Sequence, residues 1–353
     1  TILSVRGAGM GLSIRVLVHL FGGLGIFFLG LQLMSDGLQK AAGERMRRIL
    51  EMFTSKPLKA VLTGAGVTAV LQSSSTVTVM VVGFVNSGLM DLSQALGTIM
   101  GANIGTTVTA QIVSFDIYAL ASPLIGIGAL LYYFTKKKLP RYAGKSALGF
   151  GLLLLGLSTM SSAVDPLKGY QPFLDLLVLF GRQPLLGILA GALFTAIIQS
   201  SSATTGLIIA LAWQGVVDVP AGLAIAVGAN IGTCVTALLA SLTAGTAARR
   251  AAIGHLLFNV FGTLLFIVFR SPFTDVVQLT SAVTARQLAN AHTLFNVGTT
   301  LMLFPFLALF EKLVTRIVPG EDEVIEMKPQ FLDEHMIGTP GALFAAQREV
   351  LRM

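Results

Sequence analysis

Cysteine is almost missing from this chain of 353 residues: it occurs once, at Cys234. That excludes a disulfide framework and any metal site built from several thiolates. Charge is scarce as well. Asp, Glu, Lys and Arg make up 12% of the residues, about half the share of a typical soluble domain. No carboxylate pair, metal-ligand cluster or activated nucleophile stands out, which argues against an enzyme, a bound cofactor or a transition-metal centre. What is abundant is apolar. Hydrophobic residues make up 54% and the mean hydropathy is +0.80, which excludes a disordered chain. The net charge of +7 comes from 24 basic and 17 acidic residues. In so apolar a chain it points to a bilayer rather than to nucleic acid.

Apolar runs long enough to cross about 30 Å of hydrocarbon recur at Ile14–Met34, Ala95–Val113, Ala119–Phe134, Ser146–Ser162, Gly222–Leu242, Ala252–Phe269 and Leu288–Phe310. Two more, Ala60–Phe84 and Gly187–Leu211, carry a polar cluster at their midpoint. These clusters are Gln72-Ser73-Ser74-Ser75-Thr76 and Gln199-Ser200-Ser201-Ser202-Ala203. A polar run at the bilayer centre is costly unless it lines a cavity. Each such stretch therefore reads as two half-helices meeting at the serines, crossing or turning back. The re-entrant hairpin is the expectation adopted.

With two hairpins, the basic loop residues divide unequally. Lys40, Arg45, Arg47, Arg48, Lys56, Lys59, Lys136, Lys137, Lys138, Arg141, Lys145, Arg249, Arg250, Lys312 and Arg316 fall on one side. Arg6, Arg15, Lys168, Arg182, Arg270 and Arg286 fall on the other. The richer set marks the cytoplasm, which places the N-terminus outside and the C-terminus inside. No cleavable signal is visible. The chain opens at Thr1, so a missing start is expected.

Shifted by 127 residues, the chain matches itself. Between Pro57 and Ser114, 25 of 58 positions are identical without a gap, against about a tenth for shared apolar composition. Gln72-Ser73-Ser74-Ser75 falls on Gln199-Ser200-Ser201-Ser202, Asp91 on Asp218, and Gly101-Ala102-Asn103-Ile104-Gly105-Thr106 on Gly228-Ala229-Asn230-Ile231-Gly232-Thr233. Upstream, Gly23, Gly30, Met34 and Ser35 meet Gly149, Gly156, Met160 and Ser161, one residue out of step. The fold expected is an all-α integral membrane protein. It has two inverted-topology repeats, about 15–120 and 142–245, each with a re-entrant hairpin, plus two further C-terminal transmembrane helices. Inverted repeats with broken helices are typical of secondary transporters; duplication for packing alone is the bland alternative.

The serine runs can cap helices whose free N–H groups face a ligand, and their hydroxyls and the Gln amides add neutral donors. Two runs from opposite hairpins suit a small oxyanion. Alternatively, the serines bond back to their own helices and ease close packing. Neither hairpin holds Lys or Arg, so the site is expected to contain no basic residue. A co-transported cation would then offset the anion, and sodium fits oxygen donors. The paired glycines of the Gly-Ala-Asn-Ile-Gly-Thr elements are expected to break their helices and expose carbonyls, or to serve close packing. Asn103, Thr106, Thr107, Asn230 and Thr233 add side-chain oxygens there. Cys234 replaces Thr107 in the second copy, so the two cation regions are unequal. Asp91 and Asp218 read as helix caps, with attraction of a cation as the alternative. His255/Asn259 and His292/Asn296, each pair four apart on one helix face, read as interhelical hydrogen-bonding groups.

The doubled Gln-Ser-Ser-Ser and Gly-Ala-Asn-Ile-Gly-Thr elements, in the same order, resemble those of the type II sodium/phosphate cotransporter family over about residues 15–310. The resemblance implies a symporter that carries inorganic phosphate into the cell on the sodium gradient by alternating access. Gln72, Ser73, Ser74, Ser75, Gln199, Ser200, Ser201 and Ser202 become the phosphate-site candidates. Gln72, Thr76, Asn103, Thr106, Thr107, Gln199, Asn230 and Thr233 become the sodium-site candidates, with Na+ the coupling ion. Transport of another oxyanion, phosphate export, or phosphate sensing are the alternatives. Residues 1–318 form the transporter domain. Residues 319–353, with Leu332-Asp333-Glu334, Thr339-Pro340 and Arg348-Glu349-Val350-Leu351, resemble a linker and the truncated start of a PhoU-like cytosolic domain. That variant implies a bacterial inner membrane. Oligomeric state is left open, with a dimer as one option.

Overall fold

The structure, a computed structural model, describes residues 2–54, 56–164 and 171–320. These residues form helices joined by short turns. The first copy comprises α1 (Ile2–Phe53), the paired short helices α2 (Pro57–Leu71) and α3 (Ser74–Asn86), then α4 (Leu92–Val113) and α5 (Ala121–Phe134). The second begins with α6 (Lys138–Val164) and α7 (Gln171–Arg182). It continues with α8 (Pro184–Ile198), α9 (Ser201–Trp213), α10 (Val219–Ser241) and α11 (Thr246–Val268). A short α12 (Arg270–Leu279), α13 (Thr284–Leu303) and α14 (Leu307–Ile317) follow. Every apolar run read from the sequence lies within or across these helices. Among the described residues, five helices are long and apolar enough to cross a membrane, or six if α4 and α5, bent by 88°, count as one span. The chain is a membrane protein.

One expectation fails along α1. Lys40 to Arg48 do not form a loop after the first span; the helix continues to Phe53. The stretch from Ser35 to Phe53 is rich in Leu, Met, Arg, Lys, Glu, Gln and Ala and has no proline, so nothing in it halts a helix. Lys145 likewise lies inside α6, not in a loop.

Local chemistry sets the element boundaries twice over. Pro57 and Pro184 open α2 and α8, where a missing N–H costs nothing. Asp91 accepts from the Gln94 N–H at 2.7 Å, and Gln94 Oε1 accepts in return from the Asp91 N–H at 3.0 Å, a capping box that starts α4. Asp218 caps α10 through the Ala221 N–H at 2.9 Å. The reading of both aspartates as caps is correct.

The helices do not break at the paired glycines. α4 and α10 run unbroken through Gly101, Gly105, Gly228 and Gly232. A methyl group at Gly101 would overlap the Val61 carbonyl, and at Gly228 the Ile188 carbonyl; at Gly105 and Gly232 it would meet Ala65 and Ala192. The glycines therefore let α4 lie directly on α2, and α10 on α8, with backbones in contact. Numbers rise together along each pair: Gly97, Gly101 and Gly105 face Pro57, Val61 and Ala65 in turn. So α2 and α4 are parallel, and only a short turn separates α3 from α4. α3 must therefore run back toward the start of α2. The same holds for α9 between α8 and α10.

α1 and α6 also meet through glycines, but in opposite sense. Gly23 faces Gly156, Gly30 faces Gly149, and Gly37 faces Ser146. These helices are antiparallel. Because Gly23 and Gly30 are the repeat equivalents of Gly149 and Gly156, the contact is self-complementary, as across a two-fold axis. Phe27, Leu153, Leu157 and Met160 are fully buried along this seam, in a cluster that extends to Ile209 and Leu223. Trp213 packs against the same cluster.

Candidate functional site

The true breaks lie at the glutamines. Gln72 and Gln199 are the non-glycine residues with positive φ among those described, at 54° and 60°. Each ends its helix in the left-handed conformation that glycine usually supplies, at a local cost of about 1–3 kcal/mol. The next residue, Ser73 or Ser200, is extended and caps the following helix. Ser73 Oγ accepts from the Thr76 N–H at 3.2 Å, and Ser200 Oγ from the Ala203 N–H at 3.3 Å. α3 and α9 thus begin at Ser74 and Ser201. The N–H groups of Ser74, Ser75, Ser201 and Ser202 have no carbonyl within their helices to bond, and they lie at the positive ends of the helix dipoles.

Both breaks open into one cavity of about 930 Å³. Gln72, Ser73, Ser74 and Ser75 line it from one copy, and Gln199, Ser200, Ser201 and Ser202 from the other. All eight phosphate-site candidates, 127 residues apart in sequence, are therefore brought together. The sodium-site candidates divide. Gln72, Gln199 and Thr233 line the cavity. Thr76 is one hydrogen bond away, its hydroxyl 2.7 Å from that of Ser73. Asn103, Thr106, Thr107 and Asn230 lie outside the lining. The first three bond back to their own helix, at the carbonyls of Ile99, Ala102 and Ile104.

Asn230 is held between helices. Its Nδ2 donates to Asn296 Oδ1 at 3.0 Å, and its Oδ1 lies 3.2 Å from His292 Nε2. Asn259 Nδ2 lies 3.3 Å from Cys234 Sγ. His292, Asn296 and Asn259 thus tie α13 and α11 to α10, as their spacing suggested. The His255 side chain is buried, with Nδ1 unpartnered; only its backbone carbonyl meets Cys234.

The expectation of a site without basic residues is wrong. Lys145 lines the cavity, and so do Gln32, Ser35, Asp36 and Gln39 of α1. Lys145 pairs with Asp36, which also holds Lys40 at 3.2 Å. Sequence reasoning missed these because it assigned 35–59 and 136–145 to loops. The signal available was Ser35, matched by Ser161 in the repeat, with an aspartate following it directly. α1 reaches the break as well: Ser35 Oγ donates to the Leu71 carbonyl at 3.0 Å, and Gln39 Nε2 to Ser35 Oγ at 3.0 Å.

The cavity brings together eight neutral side chains and two helix N-termini, groups able to donate hydrogen bonds, and the Lys145–Asp36 ion pair. The family model described as Na+/Pi-cotransporter matches residues 26–162 and 169–309. A protein of Salmonella typhimurium named "Putative inorganic phosphate export protein YjbB" is 32% identical over 339 residues, 96% of this chain and 62% of the relative. The "Uncharacterized protein YqeW" of Bacillus subtilis is 33% identical over 259 residues, 73% of this chain and 84% of its own length. The "Sodium-dependent phosphate transport protein 2A" of Rattus norvegicus is 37% identical over 114 residues, 32% of this chain and 18% of that protein. The chain spans less than two thirds of the length of the Salmonella relative. No solved structure matches it.

Proposed function

From the premise that this chain belongs to the Na+/Pi-cotransporter family, we propose that it is a secondary transporter that moves inorganic phosphate together with sodium, inward, by alternating access. The observation that carries this reading is the meeting of both Gln-Ser-Ser-Ser breaks in one cavity. Phosphate oxygens accept hydrogen bonds, and the Ser74, Ser75, Ser201 and Ser202 N–H groups with their hydroxyls donate them. Sodium is the second cargo, and Gln72, Thr76, Gln199 and Thr233 are the oxygen donors at or next to the cavity. Asn103, Thr106, Thr107 and Asn230 are sodium donors only if α4 or α10 rearranges during the cycle.

The antiparallel pairing of α1 with its copy α6 supports inverted repeats, and the return of α3 and α9 supports re-entrant hairpins. Basic residues concentrate beyond the starts of α2, α6 and α11. On that ground these ends face the cytoplasm, in a bacterial inner membrane with the N-terminus outside. Residues 1–318 are the transporter domain. The resemblance to a PhoU-like start lies in 321–353, outside the described residues.

Export is the second reading, favoured by the name of the Salmonella relative. Proteoliposomes decide. Under the first reading, labelled phosphate accumulates when sodium is higher outside, and Ser74→Ala or Ser201→Ala each raises the KM for phosphate. Uptake that ignores sodium and follows pH would remove sodium coupling. Unchanged KM in both variants would remove the serines from the site. Net efflux against an inward sodium gradient would establish export.

A further inference from the structure

An anion held only by neutral donors keeps its charge uncompensated within the protein. The structure contains a resident countercharge. Lys145 lines the same cavity as both serine runs, and its side chain is only 12% exposed. Its carboxylate partner, Asp36, is 34% exposed. Asp36 is shared: Lys40 lies 3.2 Å from the same oxygen, Oδ2, and is 52% exposed. Two lysines on one carboxylate leave the triad with a net charge of +1. If Lys145 leaves, Asp36 keeps Lys40 and no bare buried carboxylate remains.

Resting on the phosphate-carrier reading, we propose that Lys145 is the cavity's own countercharge for the transported oxyanion, and that Asp36 is the latch that holds it between turnovers. The incoming anion replaces Asp36 as the partner of the Lys145 ammonium, while Asp36 stays paired with Lys40. A lysine suits this exchange. Its ammonium is a point charge on a flexible stem, so it can change partners by rotating rather than by moving a helix. The placement also divides the labour. Lys145 and Asp36 ride on the α6–α1 pair, whose backbones are in contact where Gly37 meets Ser146. The neutral donors ride on α3 and α9.

The test measures the KM for labelled inorganic phosphate in proteoliposomes containing the full chain, for wild type, Lys145→Gln, Lys145→Arg and Asp36→Asn. Lys145→Gln is expected to raise KM about tenfold or more, the loss of one charge-assisted hydrogen bond. Lys145→Arg, which keeps the charge, stays within about threefold. Asp36→Asn, which unlatches the lysine, lowers KM about threefold. The opposite signs are the decisive feature, because a merely structural ion pair would make Lys145→Gln and Asp36→Asn shift KM the same way. Shifts of the same sign, or a KM for Lys145→Gln within about twofold of wild type, overturn the inference while leaving phosphate transport intact. Wild-type vesicles that take up no phosphate overturn the carrier reading and this inference with it. Should Lys145→Gln not fold, Asp36→Asn decides alone: a lower KM supports the latch, and an unchanged or higher KM overturns it.

Discussion

The two copies share one backbone and fasten it differently. Gln72 and Gln199 adopt nearly the same left-handed conformation, and α2 and α8, like α3 and α9, have equal lengths. Yet Gln72 Oε1 accepts from the Thr109 hydroxyl of α4 at 2.6 Å. In the second copy the equivalent Thr236 hydroxyl is buried without a partner, and the Gln199 side chain is exposed. Thr76 joins Ser73 to Gln39 of α1, where the second copy has Ala203. Conversely, the Thr195 and Thr204 hydroxyls pair at 2.6 Å, whereas Thr68 faces a chain with Val77 in place of Thr204 and has no partner. The first break is thus tied into its own copy, whereas α13 holds both copies, through Asn230 of α10 and through Gln111 of α4, which donates to Asn290 and Thr293. Duplication supplied the geometry, and later divergence assigned each copy its restraints. If the glutamines hold cargo as proposed, Gln199, whose side chain is exposed and lines the cavity, is the more available of the pair.

The hardest test of this comparison concerns what the copies share. Gly101→Val and Gly228→Val each force a side chain into a neighbouring carbonyl. Both should lose folded protein, at or beyond the upper end of the about 1–3 kcal/mol typical of overpacking. Monodisperse yield and thermal midpoint in detergent report this; survival of one variant would mean that only one copy needs the close contact. The next test concerns what they do not share. Asn230→Ala strands Asn296 and His292 and should cost about 2–3 kcal/mol, whereas Asn103→Ala breaks one bond to its own helix and should cost under about 1 kcal/mol. Equal shifts in thermal midpoint would erase the asymmetry. The smallest effect is expected at the breaks themselves. Thr109→Val should cost about 1 kcal/mol and raise the KM for phosphate by loosening Gln72, while Thr236→Val should be neutral or slightly stabilising, since it removes an unpaired hydroxyl. Matching losses in both variants would show that Thr236 has a partner during transport.

Much of this was legible in the residues. Doubled Gln-Ser-Ser-Ser at fixed spacing marked the breaks, because three serines in an apolar run must either face a cavity or cap a helix, and here they do both. Asp91 and Asp218 announced their caps by local rules that act within one turn. Two features were not legible, each for its own reason. Gly101 and Gly228 were expected to open their helices, but glycine breaks a helix only where nothing packs against it; here α2 and α8 lie on it. Hydropathy reads Lys40 and Lys145 as loop charges because it counts residues and does not see that a helix can carry charge past the end of its apolar run.

Composition and pattern alone therefore determined the class of molecule, the duplication, the capped starts of α4 and α10 and the eight residues at the breaks, since these follow from short-range chemistry and periodic burial. Only the tertiary structure decided that the two breaks share one cavity, that the glycines pack rather than bend, and that Asp36 and Lys145 stand beside the serines. Those facts depend on which helices touch, and contacts between residues forty or more positions apart leave no local trace in a chain.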